Sequence, residues 1–403
     1  MIDKINIKAF KSIENVSLEL GKVNVFVGAN GSGKSNILEG VGILSAAAHG
    51  RVDDMALLTR GVRPGVQALY KCAFPGVRIN HIEFAAEQNS ISDIPSSSYK
   101  VSLFNPIVQG NYVWQYHTEN LKFGRKKIVG RSHHSAQKKD FSVGLAALKA
   151  ADPDPNIDDN AFNILRTLQN YAIYTPTTSV LRGIVNDSYS KTPLGLNGGH
   201  IADALADFKK IIKNNESYYE IWQDVEDLID WASSFSAASS ETVPVSTAIP
   251  YSKNVVRFVD RFMKPSRNTL SGYDSSEGAL FILFHALLLS LPSSPSFYAI
   301  DNADHALNPR LCRALFEKIC KWVTFPSCQK QILLTTHNPL VLDGLDLKNP
   351  QIRLFTVSRS CQGRSIVTPV VWNEKLEELK KGKKLTLSKL WLSGELGGMP
   401  NGL

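Results

Sequence analysis

The stretch "VGANGSGKSN" at residues 27–36 fits the pattern of a phosphate-binding loop. It follows the strand-like run Val23–Val27 and precedes "SNILEGVGILSAAA" (35–48), where apolar residues recur at helical spacing. Glycines in such a loop let backbone N–H groups turn towards phosphates, and the following helix presents its positive end to them. Strand, glycine loop and helix stand in the order that this motif requires. The sequence therefore predicts an α/β fold with a nucleotide at this loop.

Two side chains of the loop have expected roles in holding ATP and Mg²⁺, the predicted cofactors. Lys34 is expected to reach the β- and γ-phosphates, and Ser35 to offer its hydroxyl to the metal. The alternative is a tight glycine turn that only starts a helix. The predicted ATP-binding residues are Asn30, Gly31, Ser32, Gly33, Lys34, Ser35 and Asn36.

Two apolar strands further along the chain end in polar residues that suit the same site. "SFYAIDNADHALNP" (296–309) places Asp301 at a strand end, where a carboxylate can hold Mg²⁺ together with Ser35. "LLTTHNP" (333–339) places His337 one helix and one strand later, where a side chain could sense the γ-phosphate. Each signal is weak alone, because many strands end in Asp and a lone His is usually structural. Their pairing with the glycine loop favours the site.

These segments resemble ABC-type ATPases of the SMC/RecF/OLD kind, often described as AAA family ATPases. "INIKAFKSIENVSLEL" (5–20) is similar to their N-terminal lobe, and the segments around Lys34, Asp301 and His337 are similar to their Walker A, Walker B and switch motifs. The resemblance covers about 1–50 and 270–360 and little between. It implies an α/β ABC-type P-loop ATPase head with a mostly parallel core sheet, an N-terminal antiparallel β-lobe and a helical insert.

Changes of pattern along the chain predict three regions. Residues 1–140 would form the N-terminal ATPase lobe with the phosphate loop and a β-rich subdomain. Residues 141–250 would form a mainly helical insert that ends in the Ser- and Pro-rich segment 233–250, interpreted as a linker or edge loop. Residues 251–403 would form the C-terminal ATPase lobe.

The resemblance also implies a dimer with ATP between two chains. In such proteins a signature loop of one subunit completes the ATP site of another, and "DSSEGALFILF" (274–284) matches it with Ser276 and Gly278. The match is degenerate, because the leucine usual before that serine is replaced by Ser275. A glutamine near Mg²⁺ is also implied, and Gln67 and Gln88 are candidates that the sequence does not separate. The first predicted partner is thus a second copy, in a homodimer or higher oligomer.

Asn302 stands where the family has a catalytic glutamate. An amide cannot accept a proton at neutral pH, although it can orient water. Asp304 is the nearest acid and is either a substitute base or, as we favour, a helix cap. The predicted catalytic residues are Lys34, Asp301, Asn302 and His337. Because Asn302 cannot act as a general base, we expect slow ATP hydrolysis and long-lived ATP-bound assemblies.

The net charge of +8 permits DNA or RNA as a partner, and basic residues concentrate in 121–140 and 375–389, although solvated surface is an equal alternative. No apolar run is long enough to cross a bilayer, and five scattered cysteines argue against a disulfide framework and a zinc site. A cytoplasmic location with no membrane contact is expected.

Too few residues follow His337 for a Toprim nuclease, so the ATPase is expected to regulate a separate effector, a nuclease of an anti-phage system. The alternative is a RecF-like repair ATPase; a transporter ATPase is disfavoured by the degenerate signature.

Overall fold

The chain folds into three β-sheets and the helices packed on them. The structure is a computed structural model that describes residues 1–76, 81–105, 114–132, 140–187, 193–212, 216–247, 252–374, 376–377 and 385–397. Its strands are β1 (Lys4–Phe10), β2 (Ile13–Glu19), β3 (Val23–Val27), β4 (Ile82–Gln88), β5 (Ser97–Phe104), β6 (Gln115–Phe123), β7 (Lys126–Arg131), β8 (Ile173–Tyr174), β9 (Ala232–Ser239), β10 (Asn254–Asp260), β11 (Thr269–Ser271), β12 (Phe297–Ile300), β13 (Gln331–Thr336), β14 (Ile352–Arg359) and β15 (Ser365–Val370). Its helices are α1 (Lys34–His49), α2 (Asp54–Leu58), α3 (Leu145–Ala151), α4 (Asn163–Gln169), α5 (Thr178–Leu181), α6 (Ile201–Ile212), α7 (Glu216–Leu228), α8 (Glu277–Ser290), α9 (Pro309–Thr324) and α10 (Leu387–Leu392).

The N-terminal lobe contains an antiparallel sheet of six strands in the order β2-β1-β4-β5-β6-β7. Alternate residues such as Ile5 and Ile7 point into the core, while Lys4, Asn6 and Lys8 lie on the opposite face. This period of two is the pattern of a sheet with one buried and one solvated face. The predicted antiparallel β-lobe is confirmed.

The core sheet is mostly parallel, with strands in the order β15-β14-β3-β13-β12-β8. Only β15 pairs antiparallel, and β3 is central between β13 and β14. β3, β12 and β13 are buried along their whole length, because helices and the N-terminal sheet cover both faces. The predicted mostly parallel core sheet is therefore confirmed.

The middle of the chain differs from the predicted arrangement in two places. β8 at Ile173–Tyr174 forms the edge of the core sheet, although it lies in the predicted helical insert. Residues 233–239 of the segment interpreted as a linker or edge loop belong instead to strand β9 (Ala232–Ser239), which pairs with β10 in a three-stranded sheet. The burial of Phe235 against Trp222 and Phe258 stabilises a strand whose other residues are small and polar. The boundaries at 140 and 250 stay predictions.

The topology brings the predicted site residues to one edge of the core sheet. β3, β12 and β13 run parallel, and in their registers Ile300 pairs with Leu334 and Val27 with Thr336. The loops that follow these strands therefore leave the sheet at the same edge. Ligands of open α/β sheets bind at this carboxyl edge.

Candidate functional site

The glycine loop between β3 and α1 has a backbone that only glycine adopts easily. Gly31 and Gly33 have φ angles of 76° and 108°, in the left-handed region. A Cβ atom on Gly33 would also lie 2.1 Å from Ser365 Oγ. α1 starts directly after Gly33, so its first N–H groups face the loop. The loop thus has the shape and the N–H donors of an anion cradle.

Lys34 is buried at the start of α1 and folds back over the loop. Its Nζ donates hydrogen bonds to the carbonyl oxygens of Gly28 at 2.8 Å and Ala29 at 3.0 Å. Burial lowers the pKa of Lys34, while the carboxylates of Asp301 and Asp304 oppose that shift. The ammonium is thus held over the loop, beside two acids.

Asp301 is fixed by hydroxyl groups on both carboxylate oxygens. Ser35 Oγ donates to Asp301 Oδ2 at 2.8 Å, and Thr335 Oγ1 donates to Oδ1. Thr335 also accepts a hydrogen bond of 2.9 Å from the backbone N–H of Asn302. The structure thus brings Ser35 and Asp301 together, as expected for the two predicted metal ligands. Sequence reasoning missed Thr335, although it is part of the Thr-Thr-His run that drew attention to His337.

The donor set at this edge suits Mg²⁺ and a polyphosphate. A serine hydroxyl and a carboxylate are hard oxygen ligands of the kind that Mg²⁺ prefers. Ser32 Oγ is buried in the loop and has no hydrogen-bond partner among the described residues, so it is available to a ligand. The residues present therefore fit both groups.

A buried carboxylate on α1 organises two cations beside the loop. Glu39, one turn after Ser35, forms ion pairs with Lys11 and with Arg63, the latter at 2.6 Å. The hydrogen bond to Glu39 raises the pKa of Arg63, and Asp301 adds to the rise. Sequence reasoning missed this group, although an acidic residue in an otherwise apolar helix was a signal.

The predicted polar residues after β12 and β13 differ in how buried they are. Asn302 is exposed and has a φ of 53°, which asparagine tolerates better than most residues. Asp304 is buried, and its Oδ1 has no hydrogen-bond partner in the described part of the chain. The favoured interpretation of Asp304 as a helix cap is wrong, because Asn308 caps α9 by accepting from the N–H of Leu311. His337 is exposed directly after β13.

Among the described residues, the neighbours given for the signature-like residues Ser276 and Gly278 do not include the phosphate loop. Ser276 is the exposed N-cap of α8 and borders a groove of about 520 Å³ shared with Trp231 and Asn308. Gly278 is buried two residues later, where a Cβ would touch the side chain of Leu311 at 3.4 Å. Behind them, His285 lies fully buried on α8 with Nε2 3.0 Å from the carbonyl oxygen of Ala303.

The two glutamine candidates are separated by strand register. Gln88 lies at the end of β4 that pairs with the start of β1, while the phosphate loop lies near the other end, beside Lys11 and Ser12. Gln88 is therefore about 20 Å away along the strand. The short 3₁₀ helix that begins at Gln67 is close to Lys11, whose N–H donates to the carbonyl of Tyr70.

The two basic segments have different outcomes. Residues 121–132 are part of the β6–β7 hairpin rather than a loop, and Lys126 and Lys127 are exposed at its tip. Residues 133–139 and most of 375–389 lie outside the described residues.

In the described part of the chain, no helix combines the length and apolar character needed to span a membrane.

Comparisons with known proteins connect this geometry to ATPases. A family described as "AAA ATPase domain" matches residues 1–180, and one described as "AAA domain, putative AbiEii toxin, Type IV TA system" matches residues 111–343. The DNA double-strand break repair Rad50 ATPase of Saccharolobus solfataricus is 37% identical over 70 residues. That match spans 17% of this chain and only 8% of the length of the Rad50 protein.

Two solved structures have a similar fold. The SmcHead bound to the C-winged helix domain of ScpA aligns with a TM-score of 0.55 and 15% identity, over 93% of this chain and 99% of that one. The Smc head domain with an extended coiled coil, bound to the C-terminal domain of ScpA derived from Pyrococcus furiosus, aligns with a TM-score of 0.51 and 14% identity, over 95% and 99%. The predicted α/β head fold is thus confirmed.

Proposed function

The chain belongs to the AAA-domain family matched over residues 111–343, and we propose from this premise that it is a slow, magnesium-dependent ATPase used as a switch. The observation that supports this most directly is the 2.8 Å hydrogen bond from Ser35 Oγ to Asp301 Oδ2. A phosphate-loop hydroxyl and a strand-end carboxylate are the protein groups that hold Mg²⁺ in P-loop NTPases. Lys34 lies beside them and supplies positive charge for the terminal phosphates.

The surrounding residues suit binding better than rapid turnover. Bound Mg²⁺ would neutralise charge on the β- and γ-phosphates, with Ser35 and Asp301 as its protein ligands. Thr335 would keep Asp301 oriented through its hydroxyl. Asn302 can orient a water molecule but cannot take its proton at neutral pH, and His337 would contact the γ-phosphate. Hydrolysis is therefore slow, and ATP-bound assemblies persist.

The position of Ser276 supports a site completed by a second chain. Ser276 is exposed at the start of α8 and borders a groove with Asn308 whose lining includes no residue of the phosphate loop. In a homodimer or higher oligomer, Ser276 and the backbone of Gly278 would reach the γ-phosphate held by the partner. ATP binding then brings two chains together and hydrolysis releases them.

The output of the switch would be control of a separate effector protein. The description of the matched family names a toxin of a type IV toxin–antitoxin system beside the AAA domain, which favours a regulatory role in conflict or defence. Both Smc head structures are described as bound to a domain of ScpA, which favours a second protein docked on such a head. A nuclease effector in an anti-phage system, in the cytoplasm, is the role we propose.

A RecF-like DNA-binding ATPase in repair is the alternative. On the outer face of the N-terminal sheet, exposed Lys122 of β6 pairs directly with exposed Lys127 of β7. Like charges opposite each other destabilise a strand pair, and a bound polyanion removes that cost. Lys100 lies on the same face, diagonal to Lys122, and forms an ion pair of 3.7 Å with Glu83. The Rad50 match points to the same class over its 70 residues.

One experiment tests the switch and separates the two roles. Sedimentation of the wild type is measured with ATP and Mg²⁺, without nucleotide, and with a DNA duplex added. We expect ATP-dependent dimers in the wild type and monomers in Ser276→Arg, whose side chain would block the sandwich. If the sedimenting species has the same mass with and without nucleotide, the switch proposal is wrong. DNA that binds and accelerates ATP hydrolysis, with a steep dependence on salt, would favour repair over effector control.

A further inference from the structure

The hairpin of β14 and β15 contacts the phosphate loop at successive positions. A Cβ on Gly28 would lie 2.1 Å from the carbonyl oxygen of Val357 in β14, so the loop starts against that strand. Arg359 Nε donates to the carbonyl oxygen of Gly31 at 2.8 Å, and Ser365 Oγ donates to that of Ser32 at 2.6 Å. The residues of these two pairs are 328 and 333 positions apart in the sequence, so no local pattern predicts them.

Ser365 belongs to a directed chain of buried hydrogen bonds. The carbonyl of Ser32 can only accept, so Ser365 donates to it and accepts from Ser12, whose Oγ lies 2.7 Å away. Ser12 in turn accepts from the side-chain amide of Asn36 at 2.7 Å. Ser12, Ser32 and Ser365 are each more than nine-tenths buried. In such a chain each bond polarises and strengthens the next one.

Because the peptide unit is planar, a contact that fixes a carbonyl group also fixes the direction of the N–H group of the next residue. In a trans peptide unit the C=O and the N–H point in opposite directions. When Ser365 holds the carbonyl of Ser32 towards β15, the N–H of Gly33 must point away from β15. Arg359 has the same effect on the N–H of Ser32, which indeed points across the loop and donates to the carbonyl of Ala29 at 3.2 Å. The hairpin thus fixes the direction of two loop amides: that of Gly33 points away from β15, and that of Ser32 points across the loop towards Ala29.

We infer that Ser365, assisted by Arg359, is a positioning residue that orients the amides of the phosphate loop for the nucleotide. The inference rests on the proposed ATP site and adds to it a control element from the C-terminal part of the chain. A lost neutral hydrogen bond of this kind corresponds to about a threefold to tenfold weaker affinity. We expect the effect on phosphate binding, because the Ser365 hydroxyl bonds to the loop carbonyl of Ser32 and to the Ser12 hydroxyl, while its backbone pairing is kept in the alanine variant.

Ser365→Ala tests the inference with two ligands, ATP and tripolyphosphate. We expect the Kd of both to rise about threefold to tenfold, with kcat at saturating ATP unchanged and the melting temperature without ligand close to that of the wild type. Tripolyphosphate probes the loop alone, so an effect on it separates amide positioning from general destabilisation. Thr368→Ala, an exposed position on the same strand, is the matched control and should change neither Kd.

Arg359→Lys keeps the charge on an exposed side chain but loses the Nε donor, so it tests the inference without risk to the core. A rise in both Kd values is expected again. Kd values within twofold of the wild type in both variants, while Lys34→Ala abolishes binding, would overturn the positioning role and leave the ATP site intact. A wild type that binds neither ligand would instead contradict the proposed function itself.

Discussion

Ser35 Oγ lies 2.8 Å from Asp301 Oδ2, although the two residues are 266 positions apart in the chain. The contact joins the start of α1 to the end of β12 and depends on β3 and β12 running in the same direction on either side of β13. Thr335, at the end of β13, binds the other carboxylate oxygen. The start of one helix and the ends of two strands thus converge on one carboxylate.

Asp301→Asn is expected to remove the magnesium-dependent part of ATP binding. The amide keeps the shape of the side chain but lacks the charge that would hold the ion. Calorimetry should show at least a tenfold weaker Kd with Mg²⁺, equivalent to about 1.4 kcal/mol, and wild-type affinity in EDTA. Lys34→Ala is the comparison, since it should lose binding under both conditions. An unchanged magnesium dependence in Asp301→Asn would refute the metal site.

Asn302→Asp is expected to raise the rate of ATP hydrolysis modestly. A general base is typically worth roughly 10²–10⁴-fold, but the shorter carboxylate and its unprepared surroundings would leave most of that unrealised. Aspartate suits the φ of 53° better than glutamate does, so Asn302→Glu should gain less. Asn302→Gly, which relaxes the backbone without adding a base, is the control and should not gain.

Variants of Asp304 and His337 test whether either residue acts as the general base for ATP hydrolysis. If the wild type hydrolyses ATP briskly and Asp304→Asn or His337→Ala stops it, the slow-switch proposal is wrong. The base is then the residue whose loss stops turnover. If Asn302→Asp gains activity and both other variants keep the wild-type rate, the amide at 302 is the cause of slow turnover.

Stability should fall as the pH drops from 6.5 to 4 because of His285. Burial lowers its pKa to about 4, so the folded protein keeps it neutral while the unfolded chain takes up a proton below 6.5. The unfolded state then binds more protons, and up to about 3 kcal/mol of unfolding free energy is lost across that window. Urea titrations of the wild type and His285→Gln should show a shallower loss in the variant. Equal losses in both would exclude His285 as the cause.

Replacing Arg125, Lys126 and Lys127 together by serine is expected to weaken polyanion binding and its salt dependence. Each lost phosphate contact lowers the slope of log K against log salt by up to about 0.9 for duplex DNA. The matched control replaces three exposed basic residues of the β10–β11 turn, namely Arg261, Lys264 and Arg267. If both triple variants have the same slope as the wild type, the β6–β7 tip is only a solvated surface.

The sequence predicted those parts of the site whose residues form a contiguous motif. The loop at 28–35, the strand that ends in Asp301 and the strand that ends in His337 are local patterns, and parallel pairing of their strands brings them to one edge. Partners from distant segments were not predictable, because nothing near Glu39 in sequence indicates Lys11 or Arg63.

Weak local preferences explain the other differences. Ala232–Ser239 is rich in small polar residues that favour turns, yet burial of Phe235 and pairing with β10 make it a strand. For Asp304 the sequence favours a helix cap over a substitute base, whereas α9 begins at Pro309 and Asn308 occupies its N-cap position. A tertiary contact decides the first case, whereas the second depends on where the helix begins.

The central position of β3 has a consequence for synthesis of the chain. Residues 23–27 leave the ribosome more than 300 residues before either neighbouring strand, Gln331–Thr336 or Ile352–Arg359, is translated. Until then this buried strand of the ATP site has two bare edges, which favour pairing with other chains. Translation that stops before residue 331 should therefore yield an aggregating fragment, and protection of the nascent chain matters more here than the speed of any local folding step.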